Sequence, residues 1–177
     1  MSDRLTKSHW IRHGMATLAR HGPNALMVAP MATALQVSRG SFYWHFADIA
    51  DFQAQLLQNW QERTTDQVIL DLDAHAAPDR LKQLLRRAFV GKRGLDPAIR
   101  AWAATDGDVA RVVGGVDAQR IAHIAKILVA AGVAPPKAKR RAGFLYWAYL
   151  GQALVMDPRH ASIAAAMIDD LCDLFER

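Results

Sequence analysis

Apolar residues recur along this chain at spacings of three and four, and nowhere do they alternate convincingly with polar ones over the length of a strand. Spacing of that kind puts side chains on one face of a helix, whereas a half-buried strand needs a period of two. The pattern predicts an all-α chain. Gly and Pro interrupt it at Gly22-Pro23, Ala77-Pro78, Asp96-Pro97, Gly132 to Pro136 and Asp157-Pro158, where Pro cannot continue a helix and Gly accepts the left-handed cap. Helices are predicted over 5–21, 27–35, 39–45, from 48 onward, and over 79–91, 97–104, 116–131, 136–156 and 162–175. At 177 residues the chain suits one ordinary domain, or a small one joined to a larger one.

Charge and cysteine content narrow the partners. Lys and Arg number 22 against 17 Asp and Glu, a net +5, which favours an anionic partner without naming it. The single Cys172 excludes an intrachain disulfide and a multi-cysteine zinc cluster, and fits a reducing compartment. The N-terminal MSDRLTKSHW carries charges where a secretory signal needs an apolar core. The longest strongly apolar run, 143–156, is too short to span a bilayer. A cytoplasmic protein with no membrane partner is expected.

Residues 28–46 read VAPMATALQVSRGSFYWHF. Two short helices are implied, joined by a tight turn at Gln36-Val37-Ser38. Met31, Ala32 and Leu35 form the inner face of the first, Phe42 and Phe46 that of the second, and Val37 fills the corner. Ser38 is positioned to cap the second helix. Such a pair is the helix-turn-helix plan, whose second helix enters the major groove of DNA. With both phenylalanines inward, Arg39, Ser41, Tyr43, Trp44 and His45 face out. Arg39 suits a phosphate or a guanine edge, Tyr43 and His45 can donate to phosphate oxygens, Ser41 can reach a base, and Trp44 offers an apolar plate to a thymine methyl.

The stretch Val37-Ser38-Arg39-Gly40-Ser41-Phe42-Tyr43-Trp44-His45-Phe46, with Trp10-Ile11, Gly14, Leu18, Gly22 and Met31-Ala32 before it, resembles the TetR family of bacterial transcriptional regulators. The resemblance covers about the first fifty residues closely. It implies a three-helix DNA-binding domain over 1–47 and a helical regulatory and dimerisation domain over 48–177, with the helix from 48 as connector. Ser38, Arg39, Gly40, Ser41, Tyr43, Trp44 and His45 become the DNA-binding candidates, double-stranded operator DNA the partner, and a homodimer the form that meets two half-sites. Three positions depart from the family pattern: Met27 replaces a capping Thr, Gln36 a turn glycine, and Ile49 a Lys. The lost cap costs about 1 kcal/mol, any left-handed backbone at Gln36 must be tolerated at some strain, and one lost phosphate contact flattens the salt dependence by about one unit.

Beyond residue 50 the sequence is less specific. Asp48 and Asp51 form a capping pair for the connector, whose Phe52, Leu56 and Trp60 repeat every four residues. Gly143, Trp147 and Gly151, with Ala164, Ile168, Leu171, Cys172 and Phe175, make two stripes that suit either a dimer interface or an intrachain seam. The family implies an effector pocket, for which Phe89, Trp102, His123, Tyr146, Tyr149 and Met156 are the candidates; the small-molecule effector itself is unknown. No cofactor and no metal are expected: His9 and His13 lack a third ligand, and Asp106-Gly107-Asp108 reads as a turn. The basic run Lys137, Lys139, Arg140 and Arg141 reads as a solvated face. No catalytic motif stands out, so no enzyme is expected; a ligand-responsive repressor is what the resemblance implies. The alternative is a helical protein-interaction module that has lost DNA binding.

The excess charge is spread thinly. Residues 1–52 hold five cations against three carboxylates, the remainder seventeen against fourteen, so the spacing from Ser38 to Phe46 carries the assignment and the local charge predicts only modest non-specific DNA affinity.

Overall fold

The computed structural model describes residues 5–74, 79–91, 94–157, 159–160 and 162–177. They are helical, with no strand among them. The helices are α1 Lys7–His21, α2 Val28–Ala34, α3 Gly40–Tyr43, α4 Ile49–Gln61, α5 Gln67–Asp73, α6 Arg80–Leu85, α7 Asp96–Ala103, α8 Gly107–Ala130, α9 Pro135–Leu150 and α10 Ile168–Glu176. Wider π-helical turns extend α4, α6 and α9 over Glu62–Asp66, Arg86–Val90 and Gly151–Val155. The breaks expected at Ala77-Pro78 and at Pro158 lie outside the described residues. Contacts group the chain into two compact units, Met1–Arg63 with Leu95–Val113, and Thr64–Gly94 with Gly114–Arg177.

The first unit is built around aromatic side chains. Phe42 is fully buried, its ring edge-on to Trp10 (centroids 5.3 Å apart) and close to Phe46 (5.0 Å) and Phe52 (5.5 Å). Edge-on and tilted arrangements of this kind satisfy the ring quadrupoles. α1 crosses α4 at Gly14, where a Cβ would lie 3.0 Å from Leu56 Cδ1 and collide with the Phe52 ring. The glycine therefore lets the two helices approach at the cost of helix propensity. α7 joins the same core through Ile99 and Trp102, both buried.

In the second unit Leu72, Leu81, Leu85, Ile127, Leu128 and Ile168 are almost wholly buried together. Side chains tie its widened turns: Arg120 donates to Thr65 Oγ1 at 2.9 Å and to Thr64 Oγ1 at 3.0 Å, and Gln152 Nε2 to the Phe89 carbonyl at 2.8 Å. The basic run at the start of α9 is not simply solvated. Lys137 and Arg141 donate to the carbonyls of Arg177 and Phe175, at 3.0 and 2.5 Å, satisfying acceptors that the C-terminus of α10 leaves open.

Two helices differ from the sequence expectation. α8 begins at Gly107 rather than 116 and runs unbroken through Gly114 and Gly115. Asp106 starts it, its Oδ1 accepting from the N–H groups of Asp108 and Val109, and Val109, Val113 and Val116 are buried along one side. That burial offsets the roughly 1 kcal/mol each interior glycine costs. α10 begins at Ile168 rather than 162, preceded by a single 3₁₀ turn, Ala165–Met167.

Candidate nucleic-acid interface

α2 ends in a hydrogen-bonded reversal that sets the angle of the following segment. Val37 N–H donates to the Ala32 carbonyl and Gln36 N–H to that of Thr33, both at 3.0 Å. This is the Schellman arrangement, and it requires left-handed backbone at Gln36, which has φ of 56°. α8 ends in the same two bonds, from Val133 to Leu128 and from Gly132 to Val129, with glycine at the left-handed position. Gln36 thus carries strain that Gly132 avoids, as its substitution for the family glycine predicts. Met27 is the N-cap of α2 and makes no side-chain cap bond, also as expected.

α3 is one turn long. Ser38 starts it through its carbonyl, which accepts from Ser41 N–H at 3.0 Å, while Arg39 is the N-cap and makes no side-chain capping bond. The capping role expected of the Ser38 hydroxyl falls to the backbone. Phe42 and Phe46 point inward, and Tyr43 and Trp44 are 59% and 79% exposed. Ser38, Arg39 and Gly40 are exposed beside them; Ser41 is half-buried. Among the described residues nothing demands a glycine at 40, since a Cβ there would meet Ser38 Oγ alone, at 3.6 Å.

His45 is half-buried, and its Nε2 lies 2.9 Å from the Leu5 carbonyl. After it, Asp48 caps α4 by accepting from Asp51 N–H at 2.8 Å, and Asp51 accepts from Ala47 N–H and Gln55 Nε2. Those two bonds, Gln55 first, hold the Asp51 carboxyl below its ordinary pKa, with nearby Lys7 adding to them. At the other end of the unit's first helix, Thr6 N–H donates to His9 Nδ1 at 3.0 Å. His9 therefore takes the part of a capping-box side chain. A groove of about 490 Å³ runs along α1 and α4, where Lys7, Arg12 and Arg63 stand with one carboxylate, Glu62.

No family model and no curated protein matches the sequence. Among solved structures, a Rhodococcus sp. protein described as a TetR-family transcriptional regulator superposes with a TM-score of 0.66. The match covers 97% of this chain and 98% of that one, at 17% identity. The fold is that of a TetR-family regulator.

Within this fold the six effector candidates do not all gather. Phe89 and Tyr146 belong to the core of the second unit, with Tyr149 packed against it, 5.9 Å from Tyr146 between ring centroids. His123 is buried in the same unit, its Nε2 without a hydrogen-bond partner among the described residues. Burial holds its imidazole below the ordinary pKa, against the opposing pull of Asp73. Met156 is exposed, and Trp102 is buried in the first unit. Tyr146 donates to Asp117 Oδ1 at 2.6 Å, a polar partner the sequence did not disclose.

The dimer candidates divide by face. Ile168 and Phe175 are buried inside their own unit, and Leu171 and Cys172 pack partly against that core. Burial, with Glu176 and Asp169 adding to it, pushes the Cys172 thiol up to about 11, which disfavours the thiolate. Gly143 and Gly151 are half-buried and Ala164 is exposed. Trp147 stands 70% exposed, and so do two residues the stripes missed, Phe144 on α9 and Leu174 on α10, at 60% and 63%. The Phe144 ring stacks on Phe175 at 6.0 Å, which fixes it at the surface. A signal for them was present: each lies beside a stripe residue, one position off the inward face.

Proposed function

We propose that this protein is a TetR-family transcriptional regulator, a repressor that binds a palindromic operator as a homodimer and is released by a small-molecule effector. Residues 1–47 form its DNA-binding part, and residues 48–177 its regulatory and dimerisation part. The observation that carries the proposal is the α2–α3 reversal, which buries Phe42 and Phe46 and turns Arg39, Tyr43 and Trp44 outward in a chain with this fold. Arg39 supplies a charge for phosphate or guanine, Tyr43 a hydroxyl donor, and Trp44 apolar contact with a thymine methyl. Gly40 supports it too, since a bare backbone there admits a phosphate close to the start of α3.

Homodimerisation is supported by Phe144, Trp147 and Leu174, large apolar side chains left at the surface of α9 and α10. Burying such residues against a second copy yields about 1.5–3 kcal/mol each, and two copies present two α3 segments to two half-sites. An effector in the second unit, near Tyr146, Tyr149 and His123, acts by favouring the dimer spacing that cannot hold the operator.

Selection of bound sequences from random double-stranded DNA tests the proposal. An enriched palindrome is expected, with Arg39→Ala costing about 1–3 kcal/mol of affinity and Tyr43→Phe weakening it less. No enrichment at low salt would transfer the chain to the protein-interaction class. Light scattering should give a dimer, and Trp147→Glu should give a monomer.

A further inference from the structure

Three cations from two elements line one concavity of the first unit. The groove along α1 and α4, about 490 Å³, takes Lys7 and Arg12 from α1 and Arg63 from the widened turn after α4. All three residues are exposed, and among the described residues none of them forms an ion pair. Glu62 is the one carboxylate in the lining, and it already accepts from Gln58 Nε2 at 2.8 Å. Lys7 Nζ stands 5.7 Å from the centre of the Phe46 ring. It is also near Asp51, whose two oxygens accept from Ala47 N–H and Gln55 Nε2.

Charges of one sign gathered in a cleft focus their field there and raise the local concentration of the opposite ion. Three cations and one carboxylate leave two positive charges in the lining, which calls for a ligand with about two negative ones. A guanidinium meets a phosphate or a carboxylate through paired N–H groups. The rest of the lining suits an organic molecule rather than a bare ion. Ile11, almost wholly buried, gives the groove an apolar surface. Asn59 is half-buried in it, and among the described residues its side-chain amide has no hydrogen-bond partner. That amide offers donors and an acceptor to a hydroxyl or an oxyanion. The volume falls within the range of about 300–1,000 Å³ that small-molecule sites occupy.

We propose that the groove between α1 and α4 binds a small organic molecule carrying two anionic groups, phosphates or carboxylates. Arg12 and Arg63 pair with those groups, Lys7 adds charge, Asn59 hydrogen-bonds the ligand and Ile11 meets its carbon skeleton. The site lies within the first unit, whereas Tyr146, Tyr149 and His123 belong to the second. It is therefore separate from the effector position proposed above, and it does not depend on DNA binding.

Titration calorimetry on the full-length protein tests this, with a sugar bisphosphate, citrate, pyrophosphate and inorganic phosphate as probes at matched ionic strength. The sugar bisphosphate or citrate should bind once per chain, about tenfold or more tighter than inorganic phosphate, which can make only one of the two charged contacts. Whichever of the two binds tighter assigns the anionic groups as phosphate or carboxylate. Arg12→Ala and Arg63→Ala should each weaken that binding by about tenfold, the effect of one hydrogen bond to a charged group. Both residues are exposed, and thermal melting should confirm that the variants fold. Lys139→Ala removes an exposed cation of the second unit and should change nothing. Binding of no probe would overturn the proposal. So would binding that ignores Arg12 and Arg63, or that falls equally in Lys139→Ala, since diffuse attraction of anions would then explain it. Pyrophosphate as tight as the organic probes would show that Ile11 and Asn59 contribute nothing and would overturn the organic ligand. If no probe binds and each arginine variant instead flattens the salt dependence for a mixed-sequence duplex by about one unit, the groove holds DNA phosphates and the proposal falls.

Discussion

The indole N–H of Trp60 donates to Asp96 Oδ1 at 2.8 Å, with both residues buried and 36 positions apart. The bond ties the end of α4 to the first residue of α7 within the first unit. A buried hydrogen bond to a charged group contributes about 1.5–3 kcal/mol. Asp96→Ala should therefore lower stability by about 2–3 kcal/mol in urea unfolding. Asp96→Asn keeps an acceptor oxygen and should lose less than half as much.

Gly14 and Gly40 separate packing from binding. A methyl group at 14 meets the Phe52 ring and Leu56. Overpacking of that kind costs about 1–3 kcal/mol, more than the helix propensity alanine restores, so Gly14→Ala should lower the melting temperature. At 40 a methyl group has, among the described residues, only Ser38 Oγ near it. Gly40→Ala should leave melting unchanged or slightly raised and still weaken binding to the selected operator. Unchanged operator affinity in Gly40→Ala would count against a phosphate at that position.

The turn between α2 and α3 can be improved. Gln36 sits at φ of 56° where Gly132 serves the equivalent position after α8. Gln36→Gly should raise stability by about 0.5–1 kcal/mol, the relief of left-handed strain less the added freedom of the unfolded chain. Met27→Thr supplies the cap α2 lacks and should add about 1 kcal/mol. The sites are separate features of one short helix, so the double variant in chemical denaturation should gain close to the sum.

Acid should weaken the protein in two separate windows. Desolvation lowers the His123 pKa below its ordinary 6.5, with Lys126 and Arg80 assisting and Asp73 opposing. An unfolded chain then binds this proton more readily than the folded one, so stability falls as pH drops through about 6.5. The carboxylates of Asp51, Asp73 and Asp169, held low by their hydrogen bonds, add their losses only below 3.8. In urea midpoints measured between about pH 7.5 and 5, His123→Gln should flatten the decline. A decline of equal steepness in that variant would assign the upper window to another group.

Much of the first unit was legible because its signals are local. Spacing placed Phe42 and Phe46 inward, and the capping pair Asp48 and Asp51 opened α4. Even the strain at Gln36 could be expected, since the tight turn after α2 constrains its own backbone whatever surrounds it. α8 was read as starting only at 116; the buried valines that outweigh the cost of Gly114 and Gly115 act only once other helices cover them.

Periodicity by itself determined which residues share a helix face, and therefore that the chain is all-α with a helix-turn-helix near its start. Tertiary structure decided what each face meets. The stripe Ile168, Leu171 and Phe175 turned toward its own core, leaving Phe144, Trp147 and Leu174 outside. His45, read from the sequence as a donor to phosphate oxygens, has its Nε2 2.9 Å from the Leu5 carbonyl. A helical repeat depends on the chain within a few residues, whereas burial and hydrogen-bond partners depend on what folding brings from forty residues away.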